Sequence, residues 1–141
     1  MYIEPMKIIS LFSLMVMVLL SPVANGCGQK SKSSEGSPEA TFENLVEAIK
    51  NKDIERYAAC WYSESAEREG MISQIRSNPG LWDELQAMFV GPLTLKPDGE
   101  EENRGHKTRK FTVEAPDVPE GKGIGGLSMV EENGVWKMYH W

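Results

Sequence analysis

The sequence predicts an α+β domain in which N-terminal helices pack on a curved antiparallel sheet. Three observations carry that expectation. Apolar residues between Phe42 and Met88 recur at the i, i+3, i+4 spacing of one-sided helices, whereas from Pro92 onward the recurrence shortens to every second residue. Asn133-Gly134, set between two apolar and aromatic runs, is the strongest short hairpin signal in the chain. Residues 1–26 differ in composition from the rest and 27–36 are almost wholly small and polar, which places the folding unit at 37–141. A single domain of about 105 residues buries roughly two thirds of its unfolded surface, enough for one core without metals or disulfides.

Each element has a local cause. Ser37-Pro38-Glu39 opens helix one: the serine caps, the proline occupies the first turn where its missing N–H is not needed, and the glutamate meets the positive end of the dipole. Phe42, Leu45, Val46 and Ile49 form its apolar face, and it ends near Asn51. Asp53 caps a short second helix on which Ile54, Tyr57, Ala58 and Trp61 repeat the spacing. A third helix runs from about Ser65 to Arg76 with Ile72 and Ile75, and Asn78-Pro79 starts a fourth with Leu81, Leu85 and Met88 on one stripe. Leu93-Thr94-Leu95 reads as a first strand and Pro97-Asp98-Gly99 as a turn. Residues 100–111 read as a hairpin folded around Arg104-Gly105, its acidic arm facing a basic one. Each opposite-charge pair across such a hairpin adds a few tenths to about 1 kcal/mol. Arg109, Phe111, Val113 and Ala115 share one strand face, which Pro116 ends. After a loop rich in Gly and Pro, residues 124–131 and 135–141 flank Asn133-Gly134.

The segment before the domain speaks of location. Residues 8–20, IISLFSLMVMVLL, are apolar apart from two serines, too short to span a bilayer and suited to the core of a signal peptide. MYIEP in front lacks a basic character, whereas a start at Met6 gives MKIISLF with Lys7, so Met6 is the expected true start. Ser21, Pro22, Ala24, Asn25 and Gly26 then lead to Cys27. The Gly26-Cys27 junction resembles the lipobox of bacterial lipoproteins, with Ala24 and Asn25 where that pattern usually carries Leu and Ala or Ser. The resemblance implies removal of residues 1–26, a diacylglycerol on the Cys27 thiol and an acylated amine, and two or three acyl chains anchor firmly where one does not. It also implies an exported, lipid-anchored protein, in the outer membrane facing the periplasm if the source is Gram-negative, because Gly28 rather than Asp follows the cysteine. GQKSKSSEGS has neither the hydrophobicity nor the periodicity to order itself and reads as a flexible tether over 27–36. A disulfide between Cys27 and Cys60, the only other cysteine, and an uncleaved apolar anchor stand as alternatives. If Cys27 is lipidated, Cys60 is expected to be a small buried hydrophobe.

SPEATFENLVEAIKNKDIERYAACW, followed far downstream by MVEENGVWKMYHW, resembles the lipoprotein members of the nuclear transport factor 2-like superfamily, to which SnoaL-type proteins and ketosteroid isomerase belong. Lys50 and Asp53 give the family's K-x-x-D break between its first two helices, and Gly134, Trp136 and Lys137 match the G-x-W-K of its last hairpin. The resemblance implies a sheet wrapped by helices into a cone, open as a pocket in some members and plugged in others. Enzymatic members place an Asp or His base and a Tyr donor inside it, because proton abstraction beside a carbonyl needs a base and an oxyanion donor within about 3 Å of the reacting atoms. The matching residue types here are Tyr57, Asp83, His106, Tyr139 and His140. Tyr57 and His140 are the catalytic candidates, and Trp61, Trp136 and His140 the ligand-binding ones. Tyr57 sits on an apolar stripe and reads first as core, as do Trp61, Trp82, Trp136 and Trp141. His140 shares a strand face with Trp136 and Met138 and reads first as a packed imidazole.

Other chemistry is absent from the pattern. A net charge of −6 with no clustered basic face argues against nucleic acid as a partner. Two histidines and two cysteines have no metal-ligand spacing, and Asp98, Glu100, Glu101 and Glu102 lack the alternation and central glycine of a calcium loop. The glycines of GKGIGGL precede a strand rather than a helix, so they mark a bend or bulge rather than a phosphate loop. No cofactor is expected. The resulting expectation is a lipid-anchored envelope domain of non-catalytic binding or accessory type, taking a protein partner or a small hydrophobic ligand, with a homodimer among the options. The alternative is a SnoaL-like isomerase or dehydratase acting on a small hydrophobic substrate.

Overall fold

The computed structural model describes residues 35–141; the leader, Cys27 and the tether as far as residue 34 lie outside the described residues. Along this part run α1 (Pro38–Asn51), α2 (Ile54–Ala59), α3 (Ala66–Ser77) and α4 (Leu81–Met88). Four strands follow, β1 (Thr94–Asn103), β2 (His106–Glu114), β3 (Gly126–Glu132) and β4 (Val135–His140). They form one antiparallel meander in the order β1-β2-β3-β4. The described residues are therefore α+β, helices before strands.

The helix starts follow the sequence signals with two exceptions. Ser37 accepts a hydrogen bond from the Ala40 N–H at 3.1 Å, with Pro38 in the first turn, and α1 stops where Lys52 turns left-handed at φ 54°. Asp53 then caps α2 by accepting from the Arg56 N–H at 3.0 Å. Ser65 stands at the start of α3 but its hydroxyl donates to the Tyr139 carbonyl at 3.0 Å instead of capping. The fourth helix starts at Leu81, later than Asn78-Pro79 suggests. Leu81 and Trp82 instead donate to the carbonyls of Asn78 and Pro79 in a tight i to i+3 turn. Asn78 is held in a non-helical conformation, as a residue before proline must be.

Trp61 is not on α2. The helix ends at Ala59, and the next residues run beside β4 as an extra strand edge: Met138 donates to the Cys60 carbonyl and Tyr62 donates to the Met138 carbonyl, both at 2.8 Å. Nor are Pro97-Asp98-Gly99 a turn. They lie within β1 as a bulge between the pairs Pro97↔Phe111 and Glu100↔Arg109, where Gly99 takes φ 104°. Both tight hairpins fall where the sequence puts them. Arg104 and Gly105 have φ 50° and 83°, Asn133 and Gly134 have φ 52° and 79°, the paired positive values a type I′ turn requires. The charged hairpin arms pair as expected, Glu100 with Arg109 and Glu101 with Lys110, both at 3.3 Å.

One core lies between the helices and the sheet. Phe42, Leu45 and Ile49 from α1, Tyr57 from α2 and Trp82 and Leu85 from α4 meet Phe111, Val113, Leu127, Met129 and Met138 from the sheet. Of the face assigned to β2, Phe111 and Val113 are buried, but Arg109 is exposed and lays its guanidinium 4.6 Å from the centre of the Trp136 ring. The start of the domain is pinned to β4, through the Trp136 N–H to the Gly36 carbonyl at 2.9 Å and the Thr41 hydroxyl to the Trp136 carbonyl. Leu45 is fully buried at the centre. Leu45→Ala is expected to lower unfolding free energy by about 2–5 kcal/mol, read as a fall in the urea midpoint.

Candidate functional site

Alternation along the extra strand edge and β4 builds a cleft of about 470 Å³. Successive residues of an extended chain point to opposite faces. Trp61 thus enters the core while Tyr62 faces out. On β4 the register slips between Ser128 and Met129, so that Tyr139 is the extra residue between the pairs Ser128↔His140 and Met129↔Met138. Such a bulge re-aims a side chain. Tyr139 joins the cleft wall with Tyr62 and His106, the first residue of β2. Ring centres are 5.3 Å apart for Tyr62 and His106, and 6.1 Å apart for Tyr139 with either of them.

Charged and polar groups rim these rings. The Tyr62 hydroxyl bonds to the Glu64 carboxylate at 3.1 Å. Its titration lies above the ordinary phenol range, from desolvation first and then from the bond to Glu64 and the charges of Glu64 and Glu132. Glu67, in the first turn of α3, holds the His140 Nδ1 with one carboxylate oxygen and accepts from the Trp141 N–H at 3.4 Å with the other. Asn103 and Arg104 close the hairpin side.

Three residues named by type in the sequence, His106, Tyr139 and His140, thus come together. The others do not. Tyr57 is fully buried, its ring edge-on to Trp82 at 5.8 Å, and burial pushes its phenol far above the ordinary value. The Trp61 indole, 2% exposed, holds that rise back a little, yet neither the Tyr57 hydroxyl nor the Trp61 Nε1 meets hydrogen-bond geometry with any partner. Trp136 is half-buried beneath Arg109, and Asp83 is exposed and paired with Lys52 at 2.8 Å. Tyr62, Glu64 and Glu67 were not singled out by the sequence. Glu67 lies 73 positions from His140, and no spacing rule reaches across that distance.

A larger cleft, about 670 Å³, lies beside α1. Its polar walls are already engaged: Arg56 bonds to Asn44 at 2.8 Å, Lys137 donates to the Ala59 carbonyl, and Thr41 to that of Trp136. Cys60, at its edge, is a free thiol, 5% exposed, that donates to the Arg56 carbonyl at 3.3 Å. Burial pushes that thiol up to about 11, against partial relief from Lys137 and Arg56, so it stays protonated and unreactive at neutral pH. Among the described residues no group of three or more His, Cys, Asp or Glu is placed to hold a metal, and no helix is long and apolar enough to cross a membrane. The bend expected of GKGIGGL is a close approach: a Cβ on Gly126 would lie 3.0 Å from the Phe111 carbonyl. Against known proteins, no family model and no curated protein matches the chain.

Two outcomes follow from the buried groups. Tyr57→Phe removes a buried hydroxyl that has no partner, and is expected to raise the urea midpoint, by the equivalent of about 1 kcal/mol or more. Below pH 9.0 the Cys60 thiol is protonated in folded and unfolded chains alike; above it only the unfolded chain loses the proton, until about 11. Stability therefore falls as pH rises through that window. Urea midpoints measured between pH 9 and 10, below the ordinary tyrosine value, should fall less steeply in Cys60→Ala than in the parent.

Proposed function

We propose that this chain is a lipid-anchored domain of the cell envelope, of the nuclear transport factor 2-like kind, which binds a ligand without transforming it in the cleft walled by Tyr62, His106 and Tyr139. The observation that carries this reading is the filled space between helices and sheet. Trp61 and Trp141 meet at 5.0 Å, Tyr57 and Trp82 at 5.8 Å, and Phe89 and Trp141 at 5.9 Å. An interior so occupied leaves no room beside Tyr57 for a substrate and a base. The anchoring half of the reading rests on the Cys27 junction, and the burial of Cys60 supports it by favouring a lipid over a disulfide as the fate of Cys27. Among the described residues the one large exposed hydrophobe is Val90, which favours a small ligand over an apolar protein face.

A second reading has one observation in its favour. The Glu67 carboxylate orients the His140 imidazole beside two tyrosines, the arrangement a general base of a SnoaL-like isomerase or dehydratase would use.

The tests separate the two halves. Mass spectrometry of the N-terminal peptide from the native host is expected to show a chain starting at a diacylated Cys27, and Cys27→Ala to leave the membrane fraction; an unmodified Cys27 there overturns the anchoring. In a deletion strain, His140→Ala is expected to complement and Tyr62→Leu to fail. Failure of His140→Ala with Tyr62→Leu active would instead favour catalysis.

A further inference from the structure

The cleft's chemistry narrows its ligand, and this step rests on the binding role proposed above. Its wall consists of two phenol rings and an imidazole within 6.1 Å of one another. Phenol faces carry negative electrostatic potential and attract cations that can shed some water. The acids reinforce this. Glu64 and Glu67 line the cleft and Glu132, bonded to Ser63 next to Tyr62, adds a third negative charge close by. Arg104 is the one lining residue with a fixed positive charge, and it stands on the β1–β2 turn rather than on the α3 side with the two lining carboxylates.

The geometry points to an organic ammonium cation as the occupant of this cleft, its charged head against the Tyr62 ring on the Glu64 and Glu67 side, with Tyr139 buried behind it. A neutral polyol would use the same rings, but it also needs carboxylates whose oxygens are open to its hydroxyls. Here the carboxylates already accept from the Tyr62 hydroxyl and the Trp141 N–H, and Glu67 also holds His140. They offer charge more readily than hydrogen bonds. A diffuse cation needs no directed bond from them, only their field and the ring faces. A volume of about 470 Å³ admits a head of several carbons with substituents. Two sources share this chemistry: a soluble amine, and a lipid headgroup that carries a phosphodiester next to its ammonium. Arg104 distinguishes them, since only the second brings an anion for it to meet.

The test is a calorimetric titration of the full chain in a neutral detergent with choline chloride, with its uncharged isostere 3,3-dimethylbutanol, with glucose, and with glycerophosphocholine. Choline is expected to bind saturably and the isostere several-fold more weakly. Tyr62→Leu should weaken choline by about threefold or more, the size of a cation–π contact at a partly exposed site. Should Tyr62→Leu not fold, Glu64→Gln carries the test, because it keeps the hydrogen-bond acceptor and removes the charge; choline should then weaken while the isostere is unaffected. Tighter binding of glycerophosphocholine than of choline, lost in Arg104→Gln, identifies a headgroup, and equal or weaker binding identifies a soluble amine; both support the inference. Equal binding of choline and its isostere, no saturable choline binding, or binding of glucose in preference overturns it. Glucose or the isostere binding in a Tyr62-dependent way would overturn the cation while leaving the binding role intact, so the two failures are distinguishable.

Discussion

The structure depends on two backbone hydrogen bonds, those that tie Cys60 and Tyr62 to Met138. They convert the three residues after α2 from a loop into the outer edge of the sheet. Neighbouring residues of an extended segment point to opposite sides, so the same bonds send Trp61 into the core and Tyr62 into the cleft. Met138 between them is fully buried. Without this edge, α2 would lose the backbone bonds that set its exit direction, and the turn that carries Glu64 into α3 would be held to the end of the sheet by the Ser65 and Glu67 bonds to Tyr139, His140 and Trp141. The bonds are short-range, but what they position comes from both ends of the domain.

The helices were legible because their causes are local. Ser37 and Asp53 cap within three residues of themselves, and of the α1 stripe Phe42, Leu45 and Ile49 are buried and Val46 half-buried, as the spacing requires. The two I′ turns were legible for the same reason, each being specified by its own two residues. Two misread segments depend on a partner far along the chain. Pro97-Asp98-Gly99 has turn composition, yet β1 is an edge strand, where a proline can be carried without breaking a central ladder and a glycine at φ 104° can absorb a bulge. Whether those three residues turn or bulge is decided by the register of β2 opposite them. Trp61 continues the α2 spacing in sequence but leaves the helix in space, because Met138 competes for its neighbours' backbone. Periodicity located its burial and not its backbone conformation.

The candidate site was legible by residue type on one side only. His106, Tyr139 and His140 stand out because histidines are scarce in this chain and tyrosines beside them are chemically suggestive. What places Tyr139 next to His106 is a one-residue slip in the β3–β4 register, which leaves no mark in composition. Glu67 looks like an ordinary helix-dipole glutamate in the first turn of α3, and it serves that turn while also holding His140. A residue with two structural reasons to exist carries no sequence signature of the second.

The partition of aromatic side chains follows from the same alternation and limits what the domain can become. Rings without a polar tip, or whose tip is buried and unpartnered, are inside: Phe42, Phe89, Tyr57 and Trp61. The Tyr62 ring, whose tip finds a carboxylate, is in the cleft. Leaving the Tyr57 hydroxyl and the Trp61 N–H unpaired costs about 1–3 kcal/mol each, a penalty that edge-on ring contacts worth about 0.5–1.5 kcal/mol apiece and the burial of large apolar area together offset. Opening the interior into a pocket would require withdrawing Trp61 or Trp141. Moving the Trp61 backbone outward would loosen its bridge to Met138, and that bridge also positions Tyr62. Moving the Trp141 backbone would give up its N–H bond to Glu67, which orients His140. The filled core and the outward cleft are two sides of one strand pairing, so a backbone shift that hollowed the first would also disturb the second.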